Sequence, residues 1–487
     1  MLCIRCKKAS LLLLFFLSGC LSMSDREKKE HLAYAPSLEK SEQQGIDSGV
    51  FSTGNWPDKD WWNSFNSPLL NEWIETAFSK NPSLKAVESW IEQARQVAQV
   101  ARSTLMPNIY FDAQDTPTHF SEHQLTHLFN PALSLNGYQV DLLFAFNYEF
   151  DFWNKNRNLF RAAIGELRSR QAEWQEAELI ISTSLAQAYF SLLTTIKKKE
   201  LYEDLTFVRK SRFILQEDLQ NKALLSAFPP LLSDEGVKEA EQYVLAMQNE
   251  INIEKHLINV LMGRGPDEEL SLDKLPLIPP ASIPLPKDLS IGLLSRRPDL
   301  MAQIWKAESL SYEVSAAKAD FFPNINLAAF AGIKSVAWNT LFQTGSKTAG
   351  YTPAISLPIF TAGSIRANLR AKKASFDQAI FEYNNLLLVS AQEVADHLSQ
   401  VQTVYKQKEL QVKIVEDAKK RLDLTLLKQA SGLDSQFDFL NFKEALIEKK
   451  ISEIDLIYGQ YSFLIKLIKS LGGGYTSSHL PIDKEKS

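Results

Sequence analysis

The chain is 487 residues long, 45% hydrophobic and 23% charged, with a formal net charge of −5. That balance, without a basic cluster, argues against nucleic acid or an anionic membrane surface as a partner. No uninterrupted run of about eighteen apolar residues occurs, so a membrane crossing is expected to need a β-barrel.

Residues 1–19 read as an export signal. Arg5, Lys7 and Lys8 precede a short apolar core, Leu11 to Leu17, too short to span a bilayer. The segment ends in Leu17-Ser18-Gly19-Cys20, which resembles the lipobox of bacterial lipoproteins. The resemblance implies that Cys20 becomes the lipid-bearing first residue of the mature chain. Leu21 stands where an aspartate would signal inner-membrane retention, which implies sorting to the outer membrane. An ordinary secretory signal with a chance cysteine is the alternative. The three cysteines are Cys3, Cys6 and Cys20, so the exported body has none for a disulfide. Residues 20–55 are polar and aperiodic and predict a flexible, lipidated tether.

Order is expected from Trp56, through Trp61-Trp62-Asn63-Ser64-Phe65 and Pro68-Leu69-Leu70 into a helix ending near Ser79. Pro82 and Pro107 bracket a segment free of proline and glycine, predicting one helix of about six to seven turns. Two strands follow, over 108–114 and 139–150. In the second, Val140, Leu142, Phe144, Phe146, Tyr148 and Phe150 alternate with Asp141, Leu143, Ala145, Asn147 and Glu149. An apolar face opposite one carrying Asp141, Asn147 and Glu149 suits a barrel strand between lipid and a wet lumen. A strand of a soluble sandwich shows the same period. From Phe152 to Phe228 there is no proline and only Gly165, and Phe160, Leu167, Trp174, Ile181 and Ala188 recur every seven residues. That spacing predicts a coiled-coil-like seam, and some 70 helical residues would span about 100 Å, longer than a globular core. Phe228-Pro229-Pro230 is expected to break this helix and Ser233-Asp234-Glu235 to restart it. The restarted helix is expected to end at Leu261-Met262-Gly263.

A linker over 264–290 holds six prolines. The chain then replays its first half. Pro298 and Pro323 are separated as Pro82 and Pro107 are, and Leu84, Ala86, Glu92, Ala101 and Arg102 are matched by Leu300, Ala302, Glu308, Ala317 and Lys318. Strands are predicted over 324–333 and 351–359, then a second long helix with Ile380, Leu387, Val394 and Val401 at heptad spacing. Ala430-Ser431-Gly432 reads as a helix stop, Asp434-Ser435 as a restart, and Leu471-Gly472-Gly473-Gly474 as the end. The chain thus reads as a tandem duplication, with units over 56–263 and 291–475 and a polar tail over 476–487.

These pieces resemble the TolC family of outer-membrane efflux proteins, in its lipoprotein branch. The marks are Trp61-Trp62-Asn63-Ser64-Phe65 with Pro68-Leu69, both proline-bracketed helices, Phe150-Asp151-Phe152-Trp153, Pro358-Ile359-Phe360-Thr361-Ala362-Gly363 and Leu471-Gly472-Gly473-Gly474-Tyr475. The resemblance implies a mixed α and β fold and a homotrimer. Each subunit would give four strands to a shared twelve-stranded outer-membrane β-barrel, continued as a long periplasmic α-helical barrel. It implies a passive exit duct in a tripartite efflux system, served by an inner-membrane pump and a periplasmic adaptor docking near 226–236 and 430–438. Asp438 stands where the family carries an acid at the constricted periplasmic mouth, and Asn441 where a second acid often stands. Helix-start chemistry is the alternative for Asp438. Pro230 and Gly236 stand where the first hairpin usually carries Gly and Asp, a departure at that tip.

No Gly-rich phosphate loop or nucleophile elbow is present, so an enzyme is not expected, and no cofactor beyond the lipid on Cys20. His119, His123 and His127, with Glu122 nearby, would share one face of a helix as a metal site requires; a polar surface loop is the alternative. The alternative function is a periplasmic coiled-coil lipoprotein, an adaptor or scaffold that never spans the outer membrane. An adaptor would need a lipoyl-like or barrel domain between its hairpin helices, where this chain has paired alternating strands. Cargo is not legible.

Overall fold

The computed structural model describes residues 30–123, 129–132, 134–272, 277–280, 283–286 and 289–476. Cys20 and His127 lie outside them. In chain order the elements are α1 (Glu39–Asp47), β1 (Phe51–Gly54), α2 (Pro68–Lys80), α3 (Pro82–Ser103), β2 (Asn108–His119), β3 (Asn136–Phe150), α4 (Lys155–Asn221) and α5 (Phe228–Leu261). Then follow β4 (Ile283–Pro286), α6 (Leu289–Arg296), α7 (Pro298–Ala319), β5 (Asn324–Ser335), β6 (Lys347–Ser356), α8 (Ser364–Ala430) and α9 (Gln436–Ser470). Helices of 22 and 67 residues occur in each half, in the same order.

Local chemistry starts these helices. Ser67 accepts from the Leu70 N–H at 3.2 Å and Asn81 from the Ser83 N–H at 2.8 Å, and a proline whose missing N–H costs nothing follows each cap. Order begins earlier than the expected tether allows. The Ala33 N–H donates to Asn384 Oδ1 at 2.7 Å, Leu38 and Phe51 are buried, and β1 pairs in parallel with β4 from the proline-rich linker. Residues from Ala33 to Gly54 are therefore docked on the helical body, because apolar residues in the otherwise polar segment find partners distant in sequence.

Strands β2, β3, β5 and β6 form one antiparallel sheet in that order. β2 runs past its predicted end through Pro117, which an edge strand tolerates. Cross-strand partners share a face, so the register sorts the side chains. Phe111, Phe144, Ala331 and Ala349 stand in one row, and Asn108, Asn147, Ala328 and Thr352 in a row of the opposite face. The apolar side is exposed, Phe144 at 59% and Tyr351 at 78%.

The main core sits midway along the long helices. There Trp61, Trp62, Trp73, Tyr189, Phe190, Tyr461 and Ile465 pack together, with Phe190 stacked on Tyr461 at 3.8 Å. A buried bond between the hydroxyls of Ser67 and Tyr189 at 2.8 Å fixes α2 to α4. One 18-residue stretch of α4 is, against expectation, apolar enough to cross a membrane, but 67% of it is buried within this packing. Nearer the sheet, α4 and α7 approach closely at Gly165, where a Cβ would lie 3.0 Å from the Ser309 backbone. Ser169 there donates to the Ala302 carbonyl and Ser309 to the Ala162 carbonyl, at 2.9 and 2.7 Å.

One joint is built twice. At the end of α5, Gly263 has φ +73° and lies against the Lys80 carbonyl, while Asn81 Nδ2 donates to the Leu261 carbonyl at 2.7 Å. At the end of α9, Gly472 has φ +88° and lies against the Arg296 carbonyl, while Arg297 donates to the Ser470 carbonyl at 3.2 Å. Both helices close with paired amide-to-carbonyl bonds of a left-handed glycine stop. The glycine lets the end of a coiled-coil hairpin touch the backbone ahead of the helix that leads into the sheet. Arg297 also grips Asp299 and Glu393, at 2.7 and 2.9 Å, where Asn81 carries no charge.

Candidate functional site

Two regions carry the residues marked by the sequence: the polar face of the sheet and the distal tips of the helical hairpins. On the sheet, Asp141, Asn147 and Glu149 lie on one face with Gln114, Lys334 and Asn326. Asp141 is nearly buried and accepts from Lys334 Nζ at 3.1 Å and Gln139 Nε2 at 2.9 Å. Asn147 is exposed. At the end of the sheet remote from the long helices, Trp338 Nε1 reaches Asp115 at 3.3 Å across the apolar face.

Of the three histidines, the two within the described residues, His119 and His123, do not share a helix. His119 closes β2 and its Nδ1 bonds the Asn136 side chain at 2.7 Å, and His123 lies in a turn beyond it. Among the described residues no group of three or more His, Cys, Asp or Glu side chains could hold a metal ion.

The first hairpin turns earlier than expected. α4 ends at Asn221, and Pro229 and Pro230 fall in the first turn of α5 rather than in a break. Proline is favoured there because that amide has no helical acceptor. Ser233 and Gly236 consequently lie inside α5, and the turn is made by Ala223 at φ +56°. Its N–H and that of Leu224 donate to the carbonyls of Gln220 and Leu219. The second tip repeats the same pair of bonds around Gly432, from Gly432 to Gln429 and from Leu433 to Lys428. Ala223 thus holds the backbone shape that Gly432 adopts freely. Both tips expose apolar side chains: Leu224, Phe228 and Leu231 on the first, Leu427 and Leu433 on the second.

Asp438 belongs to a capping box at the start of α9. Its Oδ2 accepts from the Ser435 hydroxyl at 2.6 Å and the Ser435 N–H at 3.0 Å, and its own N–H donates to Ser435 Oγ. The side-chain bond and then the backbone bond from Ser435 hold the Asp438 carboxyl below its usual range. Asn441, one turn on, accepts from Arg212 at 3.1 Å.

That contact leads to a cluster the sequence did not mark. Glu444 of α9 takes Arg209 Nε and Arg212 Nη1 of α4, each at 2.7 Å. Arg209 Nη1 also donates to the Gly236 carbonyl of α5 at 2.9 Å. With side chains 15%, 21% and 13% exposed, Arg209, Arg212 and Glu444 join both hairpins just behind the tips. Partial burial makes such a bridged carboxylate matter more than a surface pair. The only signal in the sequence is two arginines three apart on a heptad helix, which solvated faces also carry.

A family model described as outer membrane efflux protein matches residues 73–218 and 291–473. The chain is 26% identical to the multidrug resistance outer membrane protein MdtP of Escherichia coli, with 96% of each chain covered. It resembles the structure of the outer membrane protein VceC from Vibrio cholerae, at 28% identity and a TM-score of 0.75, covering 86% of this chain and 100% of that one. The outer-membrane channel OprN shares the fold at 21% identity and a TM-score of 0.80, with 92% and 98% covered.

Replacing Ala223 by Gly should relieve the left-handed strain and stabilise the first tip by about 1 kcal/mol. Hydrogen exchange at the amides of Lys222 to Phe228 should slow accordingly. Faster exchange there would show that Ala223 is not strained.

Proposed function

This chain belongs to the outer membrane efflux protein family, and from that premise we propose that it is the passive exit duct of a tripartite multidrug efflux assembly. One observation carries the reading: a four-stranded sheet with one apolar face, one polar face and two edge strands unpaired among the described residues. In hydrocarbon each unpaired backbone group costs several kcal/mol, so only a closed barrel is tenable there. Three copies joining β2 to the β6 of a neighbour would close a twelve-stranded barrel, apolar outside and wet inside. Two similar halves in each of three subunits would give six quasi-equivalent units around one axis, the reason for a duplicated chain.

In this homotrimer the sheet spans the outer membrane, the helices extend into the periplasm, and Asp141, Asn147 and Glu149 line the lumen. The lipid on Cys20 anchors each subunit. No reaction is catalysed, and the driving energy comes from an inner-membrane pump through a periplasmic adaptor. The exposed apolar residues of both tips fit docking by such an adaptor. The adaptor reading of the chain itself is not favoured, because paired strands stand where an adaptor domain would be inserted. At the resting tip, Asp438 and Asn441 border the constriction, and the Arg209–Arg212–Glu444 cluster holds the hairpins together.

The barrel is tested directly. Detergent-purified protein should be trimeric and form channels in planar bilayers. Phe144→Arg should cost roughly 2–4 kcal/mol near mid-bilayer and cut trimer yield, while Asn147→Arg on the opposite face should be mild; equal yields would reject the placement of the two faces. Asp141 is unsuited to this comparison because an arginine there would confront Lys334.

At the tip, three copies of Asp438 should bind multivalent cations from the periplasmic side. Asp438→Asn should abolish that block, and Asp438→Glu, which keeps both charge and capping box, should retain it. Similar loss in both would leave Asp438 as a helix-start residue alone. Glu444→Gln should raise single-channel conductance by loosening the hairpins. Finally, mass spectrometry of the mature N-terminus should find a lipid-modified Cys20, and any other unmodified first residue refutes the anchor.

A further inference from the structure

We propose that the polar face of the sheet holds a notch for planar organic cations, walled by Tyr110 and Phe330, floored by Ala145 and bordered by Asp112. The inference rests on the duct reading, in which this face lines the lumen, and gives that lumen a specificity of its own.

The register creates the notch. Tyr110 pairs with Ala145, Ala145 with Phe330, and Phe330 with Gly350, so one row across the four strands reads aromatic, small, aromatic, small. The row lies on the face of Asp141 and Asn147. Adjacent strands are about 4.8 Å apart, which sets the two aromatic residues roughly 9.6 Å apart across Ala145. The Phe330 ring leans away from that gap over Gly350, where an added Cβ would meet the ring at 2.8 Å. Tyr110 and Phe330 are 54% and 40% exposed, so the chain itself does not cover the row. Asp112, two residues beyond Tyr110 on the same face, is exposed at one corner, whereas Asp141 further along is engaged by Lys334.

A simpler account is that Phe330 shields the backbone at Gly350, a known use of aromatics beside strand glycines. That explains one ring. It does not explain Tyr110 standing in the same row on the other side of a small residue, next to an acid. A flat aromatic ring lying over Ala145 meets both walls edge to face, at centroid separations of about half that gap or somewhat more, and a positive charge on it is drawn both to the ring faces and to Asp112. Anions and compact, strongly hydrated ions gain neither contact. Threefold assembly repeats the notch around the lumen, so a solute moves between equivalent weak sites, which slows it without trapping it.

The test is planar-bilayer recording of the full chain with ethidium as the planar aromatic cation and tetraethylammonium as a non-aromatic cation of equal charge. Ethidium should cause transient current interruptions, and tetraethylammonium should not. Ala145→Phe, which fills the notch and keeps its walls, should shorten the interruptions about tenfold. Tyr110→Ser combined with Phe330→Leu should do the same, and Asp112→Asn should lower their frequency about threefold. Ala145→Phe keeps the test decisive if the double variant fails to assemble, since it removes no side chain. Interruptions unchanged in Ala145→Phe would overturn the notch while leaving the duct standing, and equal block by tetraethylammonium would reduce it to general charge attraction. Absence of any channel from the unmodified chain would sink the duct reading itself.

Discussion

Two strand edges set the terms for this molecule. β2 and β6 end a sheet that has no further partner among the described residues, over 12 and 10 residues. Soluble proteins blunt such edges with charge, bulges or covering elements; here they are long, and the apolar face between them is bare. An exposed edge and an exposed apolar face are separately unfavourable in water. On the proposed reading both would be resolved by one environment, a closed barrel in lipid, which would satisfy the backbone by pairing and the side chains by hydrocarbon. In the proposed duct the helical part of the chain has to accommodate that closure.

The joints at Gly263 and Gly472 show how. Each coiled-coil hairpin returns to the backbone just ahead of the helix that leads into the sheet, and only a residue without a Cβ can approach so closely. A hairpin about 50 Å from tip to joint is thereby fixed at its root by a few backbone contacts. The halves differ in charge at this point. Asn81 makes a neutral bond, whereas Arg297 is clamped by Asp299, Glu393 and the Ser470 carbonyl. The second joint is therefore the more strongly tied. Near the tips the contrast runs the same way, because the second hairpin turns on an unstrained Gly432 and the first on Ala223.

Between root and tip the helices are bound by small residues and sparse apolar clusters rather than by a continuous core. Serine-to-carbonyl bonds hold α4 against α7, and beyond the aromatic core a minor cluster around Leu205, Ala240 and Leu440 links the hairpins. The Glu444 cluster lies beside that minor core. Loosening a few polar contacts there leaves the aromatic core and the glycine joints untouched, so the distal ends are the part of the molecule most able to move independently.

By itself the sequence determined what is local. Heptad spacing marked two long helices, period-two alternation marked the apolar and polar sides of β3, and prolines marked the starts of α3 and α7. Each of these is encoded among near neighbours. The polar residues Asp141, Asn147 and Glu149 could be assigned to one face on that ground alone. The sequence was less reliable where two distant signals compete. The proline pair at 229–230 looked like a break but begins a helix, because the turn had already been made at Ala223. His119, which spacing allowed on a helix face or in a polar loop, instead ends a strand, because β3 supplies its partner. Only the tertiary structure decided the register that sets Tyr110, Ala145 and Phe330 in one row, the docking of Ala33 on Asn384, and the grip of Glu444 on two arginines. The physical reason is the same in each case: these contacts join residues far apart in sequence, and their partners are chosen by backbone pairing and helix packing that no local pattern records.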